Sequence, residues 1–183
     1  MKRLFFIAGM MAAFLLVVVT ASAQNANFAG TWSLDKAKSQ GLSQRMQGAD
    51  KVTLTITQDD KTISLDQKVE GGQPPAGGGG GGGGGGRGGG PTGPQSYNLD
   101  GKEATSDVTF GQNTGKLTTK ATMSAGAAEL MRKTVFTVEG TERVNTTTQK
   151  LSLSSDGKTL TVVTHREGGQ QPVPDTTAVY TKQ

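Results

Sequence analysis

The sequence contains no cysteine, so it can form neither a disulfide framework nor a cysteine-ligated metal site. Its single histidine, His165, excludes a centre built from several histidines. With one Trp and two Tyr, the chain has too few of these aromatic residues to form the two aromatic girdles of an outer-membrane barrel. The net charge of +4 is a small basic excess and gives little support to nucleic-acid binding. We therefore expect no metal, no cofactor and no nucleic-acid partner.

The first 23 residues have the pattern of a secretory signal peptide. Two basic residues precede an apolar run over 4–19, and Ala21-Ser22-Ala23 supplies the small residues that signal peptidase requires. Cleavage after Ala23 would leave residues 24–183, a length that suits one domain. A retained transmembrane anchor is the alternative, because the run is nearly long enough to span a bilayer. The cleavage pattern favours removal, and hence a secreted or periplasmic protein whose mature chain does not insert into the membrane. We also expect a monomer.

A glycine-rich segment at 71–95 interrupts the domain, with uninterrupted glycines over 77–86. Because glycine loses the most backbone entropy on ordering and buries no side chain, we predict a disordered loop. An RNA-binding Arg-Gly segment would repeat its arginines and carry aromatics, whereas Arg87 stands alone. A phosphate-binding loop would need a Lys-Ser/Thr pair or a helix directly afterwards, and residues 91–94 supply neither.

Most of the remaining sequence alternates apolar and polar residues with the period of two that is typical of β-strands. Val52, Leu54 and Ile56, for example, alternate with threonines. Polar turn residues such as Asp59-Asp60-Lys61 and Asn113-Thr114-Gly115 separate the runs. We predict about ten antiparallel strands, at 28–34, 52–57, 63–69, 95–99, 104–112, 116–124, 130–139, 143–153, 159–166 and 176–182.

The strands predict an all-β fold, an antiparallel up-and-down β-barrel. In most runs one face is Thr, Ser, Gln and Lys, as expected for a sheet that curls on itself with its other face in water. Closing the sheet also removes exposed edges. The one helical pattern, at 36–47 with Gly48 as a stop, has a thin apolar face and should lie across a barrel mouth or edge.

Two terminal motifs resemble those of the calycin superfamily. The segment Phe28-Ala29-Gly30-Thr31-Trp32-Ser33-Leu34-Asp35 is similar to the first strand of fatty-acid-binding proteins and, through its Gly-x-Trp core, to that of lipocalins. The segment Ala178-Val179-Tyr180-Thr181-Lys182 resembles their closing strand, and the set as a whole is similar to bacterial secreted lipocalin-like proteins of unknown function. The resemblance implies barrel-closing roles for Gly30, which bends the strand, and Trp32, which packs across the closed end with Lys182 as a basic partner.

The resemblance also implies a ligand site. Fatty-acid-binding proteins hold a carboxylate with an Arg-x-Tyr pair on the last strand; Tyr180 matches the tyrosine, but Ala178 stands in the arginine position and cannot supply a bidentate fork. Arg132, which shares a strand face with Leu130 and Thr134, is a candidate replacement. The alternative is an outward, solvated Arg132, which is favoured because charged side chains are seldom buried unpaired. The candidate ligand-binding residues are thus Tyr180 and Arg132.

No catalytic pattern accompanies these motifs. His165 ends a strand, where a surface role is favoured, and the adjacent Asp59 and Asp60 lie in a turn where aspartate makes local backbone hydrogen bonds. We therefore expect no enzyme, although an enzyme on a calycin frame stays a third alternative. The favoured function is binding of a small apolar or amphipathic molecule in the barrel interior. The residues expected to line that interior are Leu54, Ile56, Leu65, Phe110, Met123, Phe136 and Val162.

A second functional hypothesis makes the barrel an interaction scaffold of the cell envelope. In that case the barrel surface and the glycine-rich arm would bind a protein or polysaccharide partner. Deletion of residues 73–93 would separate the two hypotheses, because a scaffold would lose its partner while lipid binding would be unaffected.

Overall fold

A computed structural model describes residues 26–71, 93–110, 113–124, 126–138, 140–168 and 173–183. The predicted leader and most of the glycine-rich segment lie outside these residues. The described part contains ten antiparallel strands, which confirms the predicted all-β fold. The strands are β1 (Gly30–Leu34), β2 (Lys51–Gln58), β3 (Thr62–Glu70), β4 (Gln95–Asn98), β5 (Ala104–Phe110), β6 (Asn113–Ser124), β7 (Ala127–Val138), β8 (Thr141–Leu153), β9 (Thr159–Glu167) and β10 (Thr176–Lys182).

All ten strands belong to one sheet with the order β4-β3-β2-β1-β10-β9-β8-β7-β6-β5. The first and last strands pair with each other, with Trp32 opposite Lys182 and Leu34 opposite Tyr180. At the two ends of the sheet, β4 and β5 are not hydrogen-bonded to each other in the described structure, although β4 lies against β6. The sheet is therefore a nearly closed up-and-down barrel with one seam.

The alternating pattern places one face of each strand in the barrel. On β2, Val52, Leu54 and Ile56 are buried, while the threonines between them are half-buried. The turn into β3 is held by Asp59, whose carboxylate accepts hydrogen bonds from the backbone amides of Lys61 and Thr62, and these bonds lower its pKa. Sequence period and turn chemistry thus specify this hairpin together.

Trp32 lies in the buried apolar cluster of the barrel. Trp32 is fully buried, and its indole N–H donates to the Phe28 carbonyl over 3.0 Å. The Lys182 ammonium lies 5.4 Å from the Trp32 ring centroid. Gly30 has a φ of 146°, and a Cβ on it would approach Lys182 Cε to 3.2 Å. Gly30, Trp32 and Lys182 thus lie together, and the barrel-closing roles of Gly30 and Trp32 stay predictions.

The predicted helix at 36–47 is wrong in extent. The structure has a single 3₁₀ turn at Lys36–Lys38 and a short helix, α1, at Gln44–Gly48. Between them Gly41 has a φ of 67°, and Gln40 forms a bridge to Thr177. The backbone of residues 40–41 is thus held against β10, which interrupts any continuous helix.

The predicted turn at Asn113-Thr114-Gly115 is also wrong, because these residues pair with Phe110, Thr109 and Val108 inside the β5–β6 ladder. The polar composition resembled a turn, but cross-strand pairing extends through it. Across the described residues, none of the helices is sufficiently long and apolar to traverse a bilayer.

Candidate functional site

A cavity of about 150 Å³ lies at the seam of the barrel. Its walls come from both ends of the sheet, since β4, β5, β6 and β7 all contribute. The lining is mainly apolar, with a few hydroxyl and amide groups and one cation. The lining residues are Pro94, Gln95, Ser96, Tyr97, Val108, Leu117, Thr119, Arg132 and Thr134.

Arg132 is the cation of this cavity. Arg132 lies on β7, opposite Thr119 of β6 on one side and Thr147 of β8 on the other. Two residues before and after it on the same strand are Leu130 and Thr134, which are both buried, so Arg132 shares their inner face of the barrel. The sequence argument that favoured an outward, solvated Arg132 is therefore wrong, and the inward alternative holds. The alternation of a strand shows which residues share a face, but it does not show whether a face that includes a cation is the buried face.

The half-buried Arg132 side chain has an unsatisfied donor. Its Nε atom is buried and has no hydrogen-bond partner, and no described residue forms an ion pair with the guanidinium. Burial lowers the pKa of Arg132, since desolvation disfavours the charged form, and the nearby Tyr97 hydroxyl offsets this only in part. Arginine nevertheless stays charged in proteins, so the cavity wall carries a positive charge without a counter-charge.

Tyr97 forms the opposite wall. It is 2% exposed, lies opposite Ile63 in the sheet, and its hydroxyl donates to Gln95 Oε1 over 3.3 Å. Burial raises the pKa of Tyr97, and the charge of Arg132 opposes that rise. The phenol is therefore neutral at physiological pH, and its single O–H donor is already directed to Gln95. Sequence reasoning missed Tyr97, although the alternation within the four-residue β4 was a signal for its inward orientation.

Tyr180, the second candidate ligand residue, lies elsewhere in the core. It is 2% exposed between Leu34 and Leu160, its cross-strand neighbours, and is absent from the cavity lining. Desolvation raises its pKa to about 12. Arg132 and Tyr180 are both on the inner face, but only Arg132 lines this cavity.

Four of the seven residues expected to line the interior pack the core instead. Among the expected residues whose side chains are described, none lines the cavity, which uses Val108 and Leu117 from β5 and β6 for its apolar surface. The apolar residues of β2 and β3 fill the barrel around Trp32, and the space that stays open is displaced to the seam. Among the expected residues, Leu54, Ile56, Leu65 and Val162 are buried, Met123 and Phe136 are half-buried, and the side chain of Phe110 lies outside the described structure.

A second, larger depression of about 330 Å³ lies on the outer face around His165. The His165 side chain is 51% exposed, as expected from its strand-end position, with Nδ1 2.6 Å from Asp175 and Nε2 3.3 Å from Glu167. Lys150 and Glu129 form a further pair at 3.5 Å. Because these charges already have partners, the depression is a weaker candidate than the seam cavity.

Neither a known family model nor a curated protein matches this chain in sequence. The calycin resemblance therefore stays a prediction, whereas the barrel fold itself is observed. The glycine-rich arm of the scaffold hypothesis lies outside the described residues, as does the predicted cleavage site. In the described part of the chain, no group of three or more His, Asp or Glu side chains is placed to hold a metal ion.

Proposed function

We propose that this protein is a non-catalytic binding protein for a small amphipathic anion, held in the seam cavity. The anionic group binds Arg132, and the apolar part packs on Tyr97, Val108 and Leu117. The observation that carries the proposal is the buried, unpartnered Nε of Arg132 at an otherwise largely apolar cavity.

An anion is the ligand that this arrangement fits best. A buried donor left without an acceptor costs about 1–3 kcal/mol, and a ligand oxygen would remove that cost. The guanidinium offers a planar fork of donors that matches carboxylate and phosphate oxygens. A neutral oxygen could accept the Nε hydrogen bond but would leave the guanidinium charge without a counter-charge, so the site favours an anion.

The cavity volume limits the size of the bound group. An engineered apolar cavity of about 150 Å³ in another protein accommodates benzene, and the volume here is about 150 Å³. The enclosed part of the ligand is therefore a ring or a short chain. A longer tail would extend out of the cavity, which is partly open to solvent.

Binding without chemical change is supported by the lining itself. Its second titratable side chain, Tyr97, has a raised pKa, so it is a hydrogen-bond donor and a poor base at neutral pH. The remaining polar groups of the lining are hydroxyls and an amide, which orient a ligand.

Titration of the purified protein with benzoate, followed by ¹H–¹⁵N NMR, tests the proposal. At roughly 0.5 kcal/mol per non-hydrogen atom, we expect a dissociation constant on the order of 1 mM, with shifts confined to residues around Arg132. Arg132→Gln should weaken binding about 10-fold or more, because a charge-assisted bond is lost.

Lys133→Gln is the matched control, since it removes the same charge from the adjacent, exposed outer position and should leave binding unchanged. The proposal is wrong if benzoate causes no saturable shifts, or if the two variants weaken binding equally.

A further inference from the structure

Charge on the barrel strands is divided by face. The inner face is identified by the buried residues Trp32, Leu130 and Leu151. Cross-strand pairing puts every strand carboxylate in the described structure on the other, outer face. The three strand arginines are all on the inner face, together with Lys182. The outer carboxylates are Asp66, Glu70, Asp107, Glu129, Glu142 and Glu167, and the inner arginines are Arg132, Arg143 and Arg166.

Two of these arginines lie in one row across the sheet. Arg132 on β7 is opposite Thr147 on β8, and Thr147 is opposite Arg166 on β9. With neighbouring strands about 4.8 Å apart, the two Cα atoms are separated by about 10 Å. Both positions are on the concave face, on either side of Thr147, and neither Arg166 nor Thr147 belongs to the lining of the seam cavity.

Arg166 also lacks a counter-charge among the described residues. Within the described ranges its side chain makes no hydrogen bond or ion pair, and its strand neighbour Glu167 is on the opposite face, where it contacts His165. Two unpaired positive charges on one carboxylate-free face repel each other. A single carboxylate from a ligand would satisfy one guanidinium fork and leave the other unpaired.

We infer that the ligand belongs to the phosphate-monoester class, an inference that rests on the anion site proposed above. Its doubly charged tetrahedral head binds between Arg132 and Arg166. Such a head carries a charge of about −1.5 to −2 at pH 7 and three strong acceptor oxygens, enough for both arginines. Thr147 occupies the position between the two arginines in the row, and its hydroxyl would supply a further donor. The half-buried Arg132 binds the head from inside the barrel, and the exposed Arg166 interacts with its second negative charge.

Phenyl phosphate and phenyl sulfate test this inference, because they share a ring and a tetrahedral head but differ in charge. At pH 7.5 and low salt, the protein should bind phenyl phosphate about 10-fold more tightly in calorimetric or NMR titrations. Arg166→Gln should reduce that preference to about 2-fold while leaving phenyl sulfate binding nearly unchanged. At pH 5, where the phosphate ester is a monoanion, the preference should also disappear.

Arg143→Gln is the control on the same face. Arg143 lies four residues from Thr147 along β8, about 13 Å away, so its loss should preserve the preference. The inference is overturned if the two probes bind equally to the unaltered protein, or if the preference survives Arg166→Gln. Equal binding that still depends on Arg132 would leave the proposed anion site intact, whereas failure of both probes to bind would reject that site as well.

Discussion

Replacement of Arg132 by methionine should stabilise the protein. Methionine fills a similar length with apolar atoms and removes the buried Nε that has no acceptor. An unsatisfied buried donor costs about 1–3 kcal/mol, and the lower end applies because Arg132 as a whole is only half-buried. We expect the free energy of unfolding to rise by about 1 kcal/mol, equivalent to an increase in Tm of roughly 2–4 °C for a chain of this size.

Urea unfolding followed by far-UV circular dichroism measures this change, as a higher midpoint at an unchanged slope. Lys133→Met, on the exposed outer face, is the control and should change stability by less than about 0.5 kcal/mol. The reasoning is refuted if Arg132→Met lowers stability by about 1 kcal/mol or more, since Arg132 would then be a stabilising residue. A gain in stability that accompanies loss of anion binding would identify Arg132 as a residue retained for its ligand.

Two further predictions concern the closed end and the outer face. Trp32→Ala should lower the free energy of unfolding by about 3–5 kcal/mol, because Trp32 is fully buried; a loss below about 1 kcal/mol in urea unfolding would contradict its role there. The His165 pKa should exceed 6.5 because of hydrogen bonds to Asp175 and then Glu167. The stability that protonated His165 contributes is therefore complete below about pH 6.5 and is lost as pH rises through the higher folded-state pKa. Its single NMR signal should titrate nearer 6.5 in Asp175→Asn, and an unaltered protein titrating at or below 6.5 would refute the assignment.

Strand positions were largely predictable because they depend on local patterns. Alternation over 52–57 and 63–69 placed β2 and β3 within a few residues, and the Asp59 turn between them was predicted from its side-chain chemistry. Prediction failed where distant segments determine the backbone. Gly41 lies against β10 and splits the predicted helix, and pairing with β5 extends β6 through a segment with turn-like composition.

The candidate site was predictable only in part. Arg132 and its face-sharing neighbours were recognised from the spacing on one strand, but the inward orientation was disfavoured because buried charges are usually paired. Tyr97 was not recognised, because its strand contains only four residues. Tyr180 was chosen by resemblance, and it is buried away from the cavity that Arg132 lines.

The sequence by itself determined that this chain forms about ten antiparallel strands, and which side chains of each strand share a face, because alternation and turn chemistry act over a few residues. Only the tertiary structure decided which face is enclosed, how the strands align in rows, and where the sheet fails to close. Those features depend on the register of all ten strands at once. That register brings Arg132 from β7 and Tyr97 from β4 to one cavity, and puts Arg166 in the same row as Arg132.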